Sequence, residues 1–155
     1  MTLNSVIYEV GDNKVKVDGV AKIKEWMSSE TGLNRLAIEF AEKFGQALAE
    51  KKLSTAQIRN VFGEVRRIEM KMRESWDEAV ETSVLLLRPK LAYSAKRASQ
   101  KAPIAQELEA VLSAGLKEVS AGKDENDKQR RFQRFADFFE AVLAYHKAYG
   151  GKENN

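Results

Sequence analysis

The sequence predicts an all-α fold, a compact helical bundle of about five to six helices. Three observations carry that expectation. Strand-like alternation is absent after residue 20. From there on, apolar residues recur at spacings of three and four, the period of a helix with one buried face. Residues that start and stop helices punctuate these runs: Asp18 and Ser54 stand ahead of two of them, and Gly32, Gly122 and Gly150–Gly151 stand behind others. The chain has 155 residues and is 43% hydrophobic, which suits one domain around a single core.

Residues 1–18 stand apart as an N-terminal arm or hairpin. Val6 to Val17 alternates around Gly11, Asp12 and Asn13, which fits a small hairpin. A lone two-stranded hairpin is marginal in water, so a mobile arm fits as well. Residues 19–151 are expected to form a single helical domain, followed by a disordered tail at 152–155. Asp18 can cap a short helix holding Val20, Ile23, Trp26 and Met27, which Gly32 ends. Residues 33–50 follow, with Leu36, Ile38, Phe40, Ala41, Phe44 and Leu48 as their apolar positions.

Residues 53–73, LSTAQIRNVFGEVRRIEMKMR, carry the most chemistry. Ser54 with Gln57 three residues later reads as a capping box, and Ile58 can close a hydrophobic staple with Leu53. Ile58, Val61, Phe62, Val65, Ile68 and Met72 share one face, while Arg59, Gly63, Arg66 and Arg73 fall along another stripe. A glycine flanked by arginines lets a phosphate backbone, or another helix, come close.

Trp76, Ala79, Val80, Ser83, Val84 and Leu87 continue the helical period, with a bend near Glu74–Ser75. Pro89 predicts a break or kink, with residues 90–99 as a separate helix that has Pro89 in its first turn. In that helix Lys90, Ser94, Arg97 and Lys101 share a second basic stripe, with Tyr93 beside it. Pro103 opens the next helix, which carries Ile104, Leu108, Val111, Leu112, Leu116 and Val119 and ends at Gly122. KDENDK at 123–128 lacks the alternating ligands and central glycine of a calcium loop and reads as a capping turn. The last helix, to about Tyr149, holds Phe132, Phe135, Phe138, Phe139, Val142, Leu143, Tyr145 and Tyr149. That arc is wider than one core face needs, so the helix is either central to the core or partner-facing.

Charge distribution narrows the function classes. Lys and Arg total 26 against 23 Asp and Glu, so the net charge is only +3. Residues 51–101 hold twelve cations and six anions, which makes that segment +6 and the remainder −3. Such a local excess suits an anionic partner. Lys and Arg attract phosphates, and a tyrosine can stack on a base or ribose. A solvated helix face, or an adaptor surface that pairs with an acidic protein, would show the same stripes. With no cysteine, zinc-thiolate sites and cysteine nucleophiles are excluded. The lone His146 has no partner at ligand spacing and reads as a packing or surface residue. Gly150–Gly151–Lys152 follows no strand and opens no helix, so it is no phosphate loop. No apolar run approaches the roughly 20 residues that span a bilayer, and no signal peptide is evident. A soluble cytoplasmic protein is expected.

Three blocks, LSTAQIRNVFGEVRRIE, LLLRPKLAYSAKR and RFQRFADFFEAVLAYHKAYGG, together resemble the small subunit of the type III-A CRISPR effector, the Csm complex. The resemblance covers residues 53–151, with the blocks in the family's order and approximate spacing. It implies a non-catalytic prokaryotic protein of antiviral defence, whose copies line the inner filament of the effector. There they bind the guide and target RNA backbone without sequence specificity. Target cleavage in that family belongs to the backbone subunit, and DNA cleavage and cyclic oligoadenylate synthesis to the large subunit. Carried over residue by residue, Gln57 and Arg59 match the Q-I-R element, and Lys90, Tyr93 and Arg97 match the P-K-L-A-Y…R element. Lys52, Arg66, Arg67 and Lys96 complete the expected RNA-binding set. No cofactor, metal or catalytic residue is expected. The implied partners are guide RNA, target RNA, the other Csm subunits and a second copy of the chain through self-association, with no membrane.

Overall fold

In a computed structural model, residues 3–56 and 58–153 are described. Two short strands, β1 (Ile7–Val10) and β2 (Val15–Asp18), precede six helices: α1 (Gly19–Ser28), α2 (Arg35–Glu50), α3 (Arg59–Met72), α4 (Glu78–Ser99), α5 (Ala105–Ser120) and α6 (Glu125–Ala148). The all-α expectation holds, with a small N-terminal hairpin added.

Of the two readings of residues 1–18, the hairpin is the one formed. Its strands pair antiparallel, with Val10 opposite Val15 and Ile7 opposite Asp18. It escapes the marginality of an isolated hairpin by packing: Val6, Val10 and Val17 are buried, and the Tyr8 ring lies 5.9 and 5.7 Å from Phe40 and Phe44. The Tyr8 hydroxyl donates to Glu107 at 2.6 Å, and burial followed by this bond pushes its pKa up. Asp18 accepts from the amides of Val6 and Val20, each at 3.0 Å, so one carboxylate ties the hairpin to the start of α1.

Helix α6 is the axis of the bundle, packed on α1, α2, α3 and α5. Phe132, Phe135, Phe138, Phe139 and Val142 of its apolar arc are buried in the core, while Leu143 and Tyr145 are half-buried and Tyr149, beyond the helix end, is exposed. Helix α2 crosses it closely at Gly45, where an added β-carbon would come within 2.7 Å of the Val142 carbonyl oxygen. Asp124 caps α6 through the Asp127 amide at 2.8 Å, and Gly150 at φ +87° ends it, as expected.

Three local expectations are corrected. The helix expected from Ser54 begins at Arg59 and has no side-chain cap. The Ser54 hydroxyl instead accepts from the Ala56 amide at 3.1 Å, and the Thr55 carbonyl takes the amides of both Ile58 and Arg59. A remote contact sets this turn: the Thr55 amide donates to the Lys152 carbonyl at 3.1 Å. Gln57, the other half of the expected capping box, lies outside the described residues, as does its expected RNA contact. The bend near Glu74–Ser75 is a full break, because Asp77 caps a new helix through the Val80 amide at 2.9 Å. The separate helix expected over residues 90–99 is not formed: Pro89, expected to break or kink the chain and to open that helix, lies inside the continuous helix α4. It sits on the exposed side with Leu85, whose carbonyl loses its partner to the proline and can turn to water. Val84, Leu87 and Leu91 meanwhile remain buried and hold the two halves in register.

Among the described residues, no helix is long and apolar enough to cross a membrane.

Candidate functional site

Helix α3 carries its charges on a crest with two slopes. At about 100° per residue, Gly63 and Arg67 fall about 40° and 80° to one side of Arg59, while Arg66 and Phe62 fall about 20° and 60° to the other. The first slope faces α4 and the second faces α6, and the two sides have different chemistry.

On the α4 side is a groove of about 380 Å³ lined by Arg59, Asn60, Val61, Gly63, Glu64, Arg67, Lys90, Tyr93 and Ser94. Consecutive helices α3 and α4 supply its two walls, Arg59 to Arg67 from one and Lys90 to Ser94 from the other. Arg67 pairs with Glu64 one turn earlier and stays 61% exposed. The hydrogen bond from Arg67, helped by the nearby Lys90 charge, holds the Glu64 carboxyl below its ordinary range. Tyr93 is 63% exposed, and the Arg97 guanidinium lies over its ring at 5.6 Å.

Arg97 also borders a smaller adjoining hollow of 140 Å³ with Lys52, Ser54, Gln100 and Lys101. Lys52 and Lys101 line a third recess with Lys152. Cations therefore follow one another from Arg67 and Lys90 past Arg97 to Lys52, Lys101 and Lys152. Lys96 is exposed in the last turn of α4, outside these linings.

Arg66 occupies the other slope. Its guanidinium bonds Glu69 at 2.8 Å and Glu140 of α6 at 3.0 Å, and lies 4.6 Å over the Phe62 ring. Burial works against its charge, but the two carboxylates hold its pKa above the ordinary value. Two anions and an aromatic face already satisfy Arg66. Arg59, on the crest, borders both sides and donates to the Glu153 carbonyl at 3.2 Å, with the Glu153 carboxylate 3.6 Å away. The arginine stripe expected along α3 is thus divided: Arg67 and Gly63 share the groove, Arg66 braces α6, and Arg73 follows the helix end.

Of the expected set, Arg59, Arg67, Lys90 and Tyr93 meet in one groove, and Lys52 with Arg97 in the next. Sequence reading missed Glu64 and Asn60, which the 100° arithmetic assigns to the groove slope, and Glu153, which no local pattern brings to Arg59. Among the described residues, no three His, Asp or Glu side chains gather where a metal ion could be held.

The family model described as Csm2 Type III-A matches residues 32–152. No curated protein and no solved structure matches the chain. The family match covers well over half the sequence, so the chain belongs to the Csm2 Type III-A family, the small subunit of the type III-A CRISPR effector.

Proposed function

We propose that this small subunit binds the RNA backbone of its effector, without catalysis and without reading sequence, along the cationic track from Arg67 and Lys90 to Lys52. The effector works in the prokaryotic cytoplasm against invading nucleic acid, and the subunit's partners there are the guide and target RNA and the other Csm proteins. The observation that carries the reading is the groove between α3 and α4. It brings Arg59, Arg67, Lys90 and Tyr93, drawn from two separate sequence blocks, onto one open surface. Exposed Lys and Arg attract any phosphate, and an exposed tyrosine accepts any base or ribose face, so the chemistry is indifferent to sequence. Sequence in such a complex is read by pairing to the guide.

The test is target-RNA retention by the reconstituted effector carrying Arg67→Ala, Lys90→Ala and Arg97→Ala together. Loss of three phosphate contacts should flatten the salt dependence of log K by about 2 for a single strand, with the melting curve unchanged. Undiminished retention would sink the reading. Crosslinking of the subunit to an acidic protein instead of RNA would favour the adaptor alternative.

A further inference from the structure

Two residues on the cationic track are poor choices for the backbone that carries them. Gly63 lies within α3, where glycine weakens a helix because it has the most conformational freedom to lose. Packing gives no reason for it: an added β-carbon would meet no atom within 4 Å. Gly45 shows the contrast, since there the chain's own backbone forbids a side chain.

Lys52 has the opposite fault. Helix α2 ends with the Lys52 amide bonded to the Ala49 carbonyl at 3.1 Å and the Leu53 amide to the Leu48 carbonyl at 2.9 Å. That pattern puts Lys52 in the left-handed region, at φ +68°. Helix α6 closes with the same two bonds, and there the position is Gly150 at φ +87°. One chain thus closes this turn with glycine after α6 and with lysine after α2, and both turns border the recess shared with Lys101 and Lys152. Alanine would serve the fold better at 63, and glycine would serve it better at 52.

We propose that Gly63 is the point of closest approach of the RNA sugar–phosphate backbone to α3, and that Lys52 is a phosphate contact farther along the same strand. This rests on the RNA reading of the groove. The Gly63 amide is inside the helix, so the contact is one of distance: ribose packs on the bare Cα while flanking phosphates reach Arg67 and Lys90. Any side chain at 63 would hold the strand off and lengthen those ion pairs.

The experiment compares Gly63→Ala, Gly63→Leu and Lys52→Gly, each melted as the free subunit and each assembled into the effector for RNA dissociation. Gly63→Ala and Lys52→Gly should melt higher than the parent. RNA should dissociate faster in the order Ala then Leu at 63, about tenfold for Leu, the scale of one lost close contact. Lys52→Gly should bind more weakly and with a flatter salt slope. Parental dissociation with Gly63→Leu, in an effector that the Arg67/Lys90/Arg97 triple variant does weaken, overturns the approach at Gly63 and leaves the RNA reading standing. If the triple variant also binds normally, the RNA reading itself falls. A Gly63→Leu subunit that melts normally but fails to enter the complex would place a protein neighbour there and overturn the proposal.

Discussion

The imidazole Nε2 of His146 lies 2.7 Å from the carbonyl oxygen of Leu53, 93 residues earlier in the chain, and His146 is 1% exposed. A carbonyl can only accept, so Nε2 carries the proton. The bond joins the last turns of α6 to the segment that enters α3. Gly151 lies against the same ring so closely that a β-carbon could not be added without displacing it. The histidine that reads as a packing residue is therefore a latch that sets the Lys52–Ser54 end of the cationic track.

Replacing His146 with Ala should cost about 2–3 kcal/mol, since it opens a cavity and leaves a buried carbonyl without a donor. His146→Gln keeps an N–H on a similar reach and should recover part of the loss. Urea unfolding of the three proteins checks both, and equal midpoints for Ala and parent would remove the latch.

Adjacent arginines should behave differently. Arg66→Ala removes two ion pairs and the cover over Phe62 and leaves the buried Glu69 with only Gln133, 2.8 Å away. About 1 kcal/mol of stability should go, with little change in RNA binding. Arg67→Ala should leave stability within about 0.5 kcal/mol and lower the salt slope of RNA binding by about 0.7. Thermal melts and a salt titration on both variants decide the matter; identical behaviour would mean that the two slopes of α3 are not distinct.

What was legible in the sequence was what neighbours in sequence decide. Asp18 as a cap, Gly150 as a stop and the phenylalanine spacing of α6 follow from local geometry, and each is realised. What was not legible depends on distant residues. Pro89 reads as a break because its missing amide is a local fact, whereas the burial of Leu87 and Leu91 that keeps α4 continuous is not. Arg66 reads as one of a stripe until Glu140 arrives from α6. Ser54 reads as a helix cap until Lys152 takes the Thr55 amide. The basic segment could be counted from the sequence, but which of its cations were already satisfied could not.

Glu153 should restrain the track. Its carboxylate lies near both Arg59 and Lys147, at 3.6 and 3.3 Å, and it is about half exposed. Pairs this exposed contribute little to stability, so Glu153→Gln should leave the melt unchanged. It should nevertheless tighten RNA binding about two- to threefold at low salt by removing an anion beside Arg59, whose bond to the residue-153 backbone carbonyl is kept, with the gain fading as salt screens the charge. Binding isotherms at two salt concentrations test this, and a gain that persisted at high salt would point to a cause other than charge.

Asp127 gives the fold a defined acid sensitivity. It is 7% exposed, accepts from the Lys123 amide at 2.9 Å and lies beside Arg130 and Arg131. The amide bond first, and the arginines after it, hold its pKa below the ordinary value. A depressed carboxyl stabilises the fold at pH values above its unfolded pKa of about 3.9, and that contribution is lost as pH falls through the folded value. Asp127→Asn should therefore lower stability by about 1.5–3 kcal/mol at pH 7, the range of a hydrogen bond to a charged group. The gap between parent and variant should then close below about pH 4. Comparing the two proteins at each pH removes the shared effects of Glu64 and Glu81, which are also depressed, Glu81 chiefly by the Trp76 indole bond. Chemical unfolding from pH 7 to pH 3 reads the difference directly. A gap that stayed constant across that range would show that Asp127 acts by shape alone and that its charge contributes nothing to the start of α6.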